Sequence, residues 1–174
     1  MITIVSGTNR QNSNSLLVAT HYQEILKEKN TPSTLLDLTE LPANFIESAL
    51  YDQQGKNEAF NPILNHMKDA QKFVFVVPEY NGSFPGVLKV FLDALDFPGT
   101  LQGKKCALVG ISSGIQGSVM AMSHLTDIFN YLGMHVLANK PKITGINSKL
   151  ENGKLVDEAS LRRIREQADA IINF

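Results

Sequence analysis

A segment rich in hydrogen-bond donors, Ser6–Ser15, lies between the apolar run Ile2–Val5 and a helical pattern. It carries hydroxyls, amides and Arg10 but no carboxylate. A phosphate monoester needs many donors and no neighbouring anion, and free N–H groups at a helix N-terminus add donors and a favourable dipole. The alternative is a solvated turn in which one Ser or Asn caps the helix. Because a cap needs only one such residue, the excess of donors favours a phosphate site.

Two common phosphate-binding motifs are absent from this segment. It lacks the lysine and the second glycine of GxxxxGK[ST], and it does not match GxGxxG. We therefore expect neither a nucleoside triphosphatase nor a Rossmann dinucleotide site. The hydroxyls of Thr8, Ser13 and Ser15, together with the guanidinium of Arg10, remain the candidate groups for holding a phosphate.

Two further glycine-containing segments also follow apolar runs. Pro78–Gly86 holds Tyr80 and Phe84 beside amides, which suits a planar heterocycle. An equally good interpretation is a rigid loop whose aromatic rings pack on the sheet, with Pro85 starting the next helix. In Ser112–Ser118 the glycines allow the backbone to approach a ligand. For this last segment alone, a flexible turn with a serine cap is the simpler interpretation.

The elements that must position these segments alternate along the chain. Five short, mostly apolar runs predict strands, and amphipathic stripes at helical spacing fall between and after them. This alternation predicts an α/β fold with one domain over residues 1–174: a doubly wound, five-stranded parallel sheet in the flavodoxin-like order 2-1-3-4-5, with helices on both faces. The strands are predicted at Ile2–Val5, Thr34–Leu38, Phe73–Val77, Cys106–Ile111 and His135–Ala138, and the helices around Ser15–Glu28, Phe60–Met67, Val87–Leu95, Met122–Leu132 and Leu161–Ile171.

The predicted sheet restricts where a ligand can bind. In sheets of this kind, ligands lie outside the carboxyl ends of the strands, where the strand order reverses between strands 1 and 3. The three polar segments follow predicted strands 1, 3 and 4. We therefore expect them to meet at one edge of the sheet and to form one site.

Composition narrows the class of partner and the compartment. The net charge is -1, the pI is near 6.4, and there is no basic stripe, so we expect no nucleic-acid partner. No apolar run reaches membrane-spanning length, and Met1–Val5 is too short for a signal peptide, so we expect a cytoplasmic protein without membrane association. Cys106, the only cysteine, is expected to be a buried strand thiol. The four histidines are scattered and show no metal or triad spacing.

The motifs resemble those of the NAD(P)H-dependent FMN reductases, the group that includes bacterial quinone, chromate and azo-dye reductases. Gly7–Ser13 resembles the family pattern GS-x-R-x-x-S, and Pro78–Lys89 is very close to PEYNGS-x-P-x-x-LK. Ser112–Gly114 resembles a looser S-x-G segment, and the similarity covers nearly the whole chain in order. Thr8 stands where the family usually has serine, a change that keeps the hydroxyl and adds a methyl group.

The resemblance implies an oxidoreductase in which NADPH or NADH reduces a bound FMN, and the flavin passes electrons to a small-molecule acceptor. The acceptor could be a quinone, an azo compound, free flavin or a metal oxyanion. The flavin carries the chemistry, so no catalytic side chain is expected. The first segment would hold the FMN phosphate, the second would line the isoalloxazine, and the third would close its other side. The implied cofactor-binding residues are Thr8, Arg10, Asn12, Ser13, Asn14, Ser15, Pro78, Glu79, Tyr80, Asn81, Gly82, Ser83, Ser112, Ser113, Gly114 and Gly117.

Members of this family are often dimers or tetramers, so the resemblance also implies a homodimer or homotetramer. Two other functional classes remain alternatives. A flavodoxin-type electron carrier binds FMN without oxidising NAD(P)H, but such carriers commonly rely on a strongly acidic surface, which a net charge of -1 does not favour. A non-catalytic signalling module could share the fold. Receiver domains need an acidic cluster at strand 1, however, and Ser6–Ser15 has none.

Overall fold

The computed structural model describes residues 1–174 and contains one large sheet with helices on both faces. Its main strands are parallel, and the order β2-β1-β3-β4-β5 confirms the predicted topology. The strand order reverses beside β1, because β1 lies between β2 and β3. These strands are β1 Ile2–Ser6, β2 Ser33–Asp37, β3 Lys72–Pro78, β4 Lys105–Ile111 and β5 His135–Val136.

Residues of the central strands alternate between two cores, one on each face of the sheet. Phe73 and Phe75 of β3 belong to the larger core, whereas Val74 and Val76 belong to the other. Both faces are covered, which explains why the strands are continuous apolar runs. The helices are α1 Asn14–Glu28, α2 Phe45–Ser48, α3 Asn61–Asp69, α4 Gly86–Asp93, α5 Val119–Tyr131 and α6 Glu158–Asn173. Helices α1 and α6 cover one face, and α3, α4 and α5 cover the other. None of them combines the length and apolar character needed to cross a bilayer.

The fifth strand is shorter than predicted. Residues His135–Ala138 were expected to form it, but β5 ends at Val136, and a separate strand, β6 (Lys142–Ile143), pairs with the far end of β4. The intervening segment contains Pro141, which has no N–H to donate to a strand ladder. The side-chain amide of Gln167 on α6 fills part of this gap by donating to Leu108 O at 2.9 Å and to Asn139 O at 2.7 Å.

Some short elements were not predicted from the sequence. Helix α2 and two 3₁₀ turns lie between β2 and α3, and a small antiparallel hairpin follows β6. The hairpin consists of β7 (Leu150–Glu151) and β8 (Lys154–Leu155). A 3₁₀ turn at Ile146–Lys149 connects β6 to this hairpin. These elements are too short to produce a clear hydrophobic period.

Cys106 lies in β4 and is completely buried, which confirms the prediction of a strand thiol. Burial raises the pKa of the thiol to about 12, although the positive charge of Lys140 acts in the opposite direction. The thiolate is the nucleophilic form of cysteine. Cys106 is therefore a packing residue at neutral pH.

Candidate functional site

A cleft of about 490 Å³ opens at the carboxyl edge of the sheet. Its volume falls within the ~300–1,000 Å³ range of small-molecule sites. The wall comes from the loops after β1, β3 and β4, so the three predicted segments do meet. A further contribution comes from the 3₁₀ turn after β6. The wall residues are Arg10, Gln11, Asn12, Ser13, Asn14, Ser15, Pro78, Glu79, Tyr80, Ile111, Ser112, Ser113, Ile146 and Asn147.

A second cavity, of about 260 Å³, is mainly apolar and lies near the C-terminal ends of α4 and α5. It includes Phe97 and Tyr131, whose exposed rings stack with centroids 6.1 Å apart. Its wall contains none of the predicted binding residues. The helix C-termini lead into the amino ends of the following strands, so this cavity lies at the edge where ligands of this fold class do not normally bind.

The loop after β1 turns sharply into α1. Gly7 N–H donates to Val76 O at 2.9 Å, and a Cβ added at Gly7 would lie only 2.9 Å from the same oxygen, so glycine is needed there. Ser13 is the N-cap of α1, and its Oγ accepts from Leu16 N–H at 3.1 Å. The hydroxyl hydrogen of Ser13 is not used in this bond. The predicted cap and the predicted donor are therefore compatible in one residue.

Ser15 provides the clearest sign that this loop is built for a ligand. Its side chain is 1 % exposed and lines the cleft, yet its Oγ has no hydrogen-bond partner in the protein. A buried, unpaired hydroxyl costs about 1–3 kcal/mol unless another group supplies a bond. Arg10 is exposed in the same wall and forms no ion pair. This end of the cleft has a positive charge, helix N–H groups and no carboxylate from the loop, which fits a phosphate monoester.

The loop after β3 is a tight hairpin. Tyr80 and Ser83 exchange two backbone hydrogen bonds, of 2.8 and 3.1 Å. Between them, Asn81 and Gly82 have φ angles of 51° and 76°. Positive φ at both central positions is typical of a type I′ turn, for which Asn-Gly is a preferred sequence. The Asn-Gly pair of the motif therefore shapes the loop.

The side chains of this hairpin are tied to two neighbouring elements. The Tyr80 hydroxyl meets Thr8 Oγ1 at 3.0 Å, and Thr8 also accepts from Arg10 N–H at 3.3 Å. Ser83 Oγ meets His124 Nδ1, on α5, at 2.9 Å. Tyr80 thus lines the cleft while connecting the loops after β1 and β3. Thr8, Asn81, Gly82 and Ser83 support the cleft from outside its wall.

Glu79 is the only carboxylate in the cleft wall. Its Oε2 is buried without a hydrogen-bond partner, and its backbone N–H donates to Ile111 O at 3.3 Å. It follows β3, whereas the donor-rich loop follows β1. The two loops therefore bring opposite properties to the cleft: hydrogen-bond donors on one and a hydrogen-bond acceptor on the other.

The loop after β4 is stabilised by Ser112. Its Oγ donates to Gly114 O at 2.8 Å and accepts from Gly117 N–H at 2.9 Å. Gly117 has φ +62°, and an added Cβ would approach Lys142 Cβ to 2.8 Å, so the position requires glycine. Ser112 and Ser113 lie in the wall, whereas Gly114 and Gly117 lie outside it. The loop is therefore an ordered turn, unlike the flexible one considered from its sequence alone.

Four wall residues were not predicted from the sequence. Gln11 lies within the first predicted segment and Ile111 directly precedes the third, but Ile146 and Asn147 come from a part of the chain that showed no signal of a site. Ile146 is held in place because its N–H donates to Ser112 O at 3.0 Å. The only sequence cue for this turn is Gly145, which follows the apolar Ile143 by two residues and has φ +57°.

The model of a known family, described as NADPH-dependent FMN reductase, matches residues 1–147. The chain belongs to this family. Membership confirms the expected FMN-dependent oxidoreductase with NADPH or NADH as co-substrate. The FMN reductase model covers the loops after β1, β3 and β4 and ends at Asn147, the second residue of the 3₁₀ turn after β6.

Individual relatives agree with the family match over almost the whole chain. A 2-hydroxy-1,4-benzoquinone reductase from Burkholderia sp is 32% identical over 174 residues, covering 97% of this chain and 92% of the relative. A quinone reductase from Escherichia coli K12 is 27% identical over 176 residues, covering 97% and 91%. Among solved structures, the flavoenzyme NAD(P)H:(acceptor) oxidoreductase FerB from Paracoccus denitrificans superposes with a TM-score of 0.82 at 20% identity, covering 99% and 94%. This last likeness concerns the fold.

Proposed function

We propose that this FMN reductase holds FMN in the cleft between the loops after β1, β3 and β4 and uses NADPH or NADH to reduce small quinones. The observation that carries the assignment of the cleft is the buried, unpartnered hydroxyl of Ser15 beside a carboxylate-free helix N-terminus. A ligand phosphate oxygen is the kind of acceptor that such a hydroxyl lacks.

The residues of the wall divide into two groups by chemistry. Ser13, Asn14 and Ser15, with Arg10, would hold the phosphate through hydroxyl, amide, guanidinium and backbone N–H groups. The flat ring would lie against the loops after β3 and β4, where the wall contains Pro78, Glu79, Tyr80, Ser112 and Ser113. Thr8 keeps a supporting role in this arrangement, since its hydroxyl is engaged by Tyr80.

When bound, FMN supplies the chemistry of accepting a hydride from the nicotinamide and passing electrons to the acceptor. The protein supplies position and electrostatics. Glu79 offers a carboxylate acceptor for an N–H edge of the ring, because its buried Oε2 has no bond in the protein. Tyr80 is 37% exposed, so part of its ring is available as an apolar surface at the cleft.

Quinones are the acceptor class that the relatives favour. Two proteins that align over 97% of this chain are named for the reduction of a hydroxybenzoquinone and of quinones. The wall of the cleft is mostly polar, which suits a small planar acceptor that carries carbonyl oxygens. Azo compounds, free flavin and metal oxyanions are competing acceptors that an assay can rank.

The direct test is to purify the protein, load it with FMN and mix it with NADPH or NADH and a benzoquinone. We expect a flavin absorption spectrum and oxidation of the reduced nicotinamide that depends on the quinone. Free FMN at the same concentration without protein is the control. A flavin-loaded protein that leaves both nicotinamides unoxidised would instead be an electron carrier, and a protein that takes up no flavin would contradict the cleft assignment.

We also propose one FMN-binding domain over residues 1–174 that assembles as a homodimer or homotetramer in the cytoplasm. The exposed, stacked rings of Phe97 and Tyr131 support self-association, since large apolar groups at the surface favour burial against a partner. Light scattering of the purified protein measures this directly. A particle mass equal to the 19.2 kDa of one chain would contradict the oligomer.

A further inference from the structure

Two asparagine side chains join two separate segments of the cleft wall. Asn14, the first residue of α1, donates from Nδ2 to Oδ1 of Asn147 at 3.0 Å, across 133 positions of sequence. Asn147 lies in the 3₁₀ turn after β6, and both residues belong to the cleft wall. This bridge connects the donor-rich loop to an element that the sequence did not associate with the site.

The bridge leaves most of the donor capacity of the pair unused. Two asparagine amides carry four N–H bonds in total, and a single bridge uses one of them. This count is the same whichever of the two amides donates. It therefore does not change if the side-chain amide O and N atoms of either asparagine are interchanged. Neither amide nitrogen makes another hydrogen bond within the protein. The spare N–H groups can therefore donate to an acceptor in the cleft.

Asn147 is held by an ordered part of the backbone. Gly145 N–H donates to Gly114 O and Ile146 N–H donates to Ser112 O, each at 3.0 Å. Ile146 is 2 % exposed, so the turn is also anchored in the core. The loop after β4 therefore positions Asn147 even though the Asn147 side chain is exposed.

Ser15 provides an independent indication of what the pair faces. It is next to Asn14 in the sequence, lines the same cleft, and has a buried Oγ with no partner. The buried hydroxyl of Ser15 requires an acceptor, and the spare amide N–H groups of Asn14 and Asn147, in the same cleft wall, can donate to that acceptor as well. We propose that Asn147, together with Asn14, forms the second side of the phosphate grip and makes the cleft prefer a flavin with a terminal phosphate. This inference rests on the proposed binding of FMN.

The test measures flavin binding to the apoprotein by fluorescence titration, using FMN and riboflavin as probes. Riboflavin has the same ring and ribityl chain but no phosphate. In Asn147→Ala we expect FMN affinity to fall about 5–20-fold through loss of a bond to a charged acceptor, while riboflavin affinity stays within about twofold of wild type. An equal loss for both flavins would overturn the inference, because Asn147 would then shape the cleft without contacting phosphate.

Asn147→Asp tests whether a negative charge at position 147 weakens the binding of the FMN phosphate. The aspartate can still accept from Asn14 Nδ2, so the bridge is kept, but a negative charge is placed beside the phosphate. We expect FMN affinity to fall more than in Asn147→Ala, by at least about 20-fold, with riboflavin little affected. Wild-type FMN affinity in this variant would overturn the proposal.

Asn65→Asp is the matched control, because Asn65 is an exposed residue of α3 outside the cleft wall. It adds the same charge, and we expect no change in either affinity. Thermal unfolding should show that all three variants fold. A wild-type protein that binds neither flavin would refute the proposed function itself, whereas wild-type binding combined with an unaffected Asn147→Asp refutes only the role of Asn147.

Discussion

The loops after β1 and β3 are both rich in polar residues, but they use them differently. In the loop after β1, Ser15 Oγ is unpartnered and Arg10 forms no ion pair. In the loop after β3, the side chains of Tyr80 and Ser83 are hydrogen-bonded to Thr8 and His124. Asn81 and Gly82 form the turn of the hairpin. The first loop therefore has donors that are not hydrogen-bonded within the protein and can bind a ligand. In the second loop, most of the polar groups stabilise the loop itself.

This difference shows that a specific motif need not place each of its residues in the wall of the cleft. The type I′ hairpin puts Tyr80 into the cleft and turns Ser83 toward α5. Pro78, Glu79 and Tyr80 are in the wall, and the rest of the motif supports them. Substitutions in the first loop should change binding to phosphate, and substitutions in the hairpin should change stability and the ring side.

The largest expected effect is that of Arg10→Ala, which tests the first loop as a phosphate site. Loss of a hydrogen bond to a charged group should weaken FMN binding by about 1.5–3 kcal/mol and leave riboflavin binding nearly unchanged. Titration of the apoprotein with both flavins measures this. Arg165→Ala, at an exposed position of α6 outside the cleft, is the control. An unchanged FMN affinity in Arg10→Ala would contradict the assignment of the loop after β1 as the phosphate site, and with it the proposed difference between the two loops.

Gly82→Ala should produce the next largest effect, on stability. The left-handed φ of +76° costs a residue with a side chain about 1–2 kcal/mol, and because no atom lies within 4 Å of the added Cβ, the cost comes from the backbone alone. Thermal or denaturant unfolding measures the loss. Gly86→Ala is the matched control: its Cβ also meets open space, but it lies at the start of α4 without a positive φ, so it should be neutral or stabilising. Equal effects would contradict the assigned turn.

A smaller effect is expected for the contact between the two loops. A double-mutant cycle of Thr8→Val and Tyr80→Phe should give a coupling of about 0.5–1.5 kcal/mol in the free energy of unfolding, because their hydroxyls meet at 3.0 Å. If the two loops depend on each other, each single variant should weaken FMN binding at both the phosphate and the ring. Simple additivity of the two single variants would indicate that the loops are independent.

Ser83→Ala should have the smallest effect, because its bond to His124 lies at the surface. We expect a change within about 0.5 kcal/mol in unfolding free energy. Its control is Ser113→Ala, in the cleft wall, which should affect flavin binding more than stability. A large loss of flavin affinity in Ser83→Ala would place the hairpin tip, and not only Tyr80, in the site.

Most of the fold could be predicted because the sheet is buried on both faces. A run such as Phe73–Val77 is apolar throughout, and helical stripes separate such runs, so the topology followed from the order of the elements. The end of the fifth strand could not be predicted in the same way. Val136 and Leu137 are both apolar, and both lie beside β4, where Leu137 N–H still donates to Cys106 O at 2.8 Å. Farther along, Leu108 O and Asn139 O accept from the side chain of Gln167, a residue of a distant helix, so the ladder does not continue.

Residues of the candidate site could be predicted where their role follows from neighbouring sequence. They could not be predicted where their role depends on contacts with residues far away in the sequence. Ser13 and Ser15 stand at a helix start, where hydroxyls have an evident use. Thr8 belongs to the same loop, but Tyr80, 72 positions away, engages its hydroxyl. Asn147 follows no long strand and has no local motif; it reaches the cleft because two backbone bonds hold its turn against the loop after β4.

The interrupted fifth strand has a consequence for association between molecules. An open sheet edge is a template on which another chain can add a strand. Here β5 and β6 have two residues each, and the amide of Gln167 satisfies the Leu108 carbonyl in the gap between them. Neither piece is long enough for a continuous intermolecular ladder. At this edge, the Gln167 side chain of α6 occupies a backbone acceptor that an added strand would need.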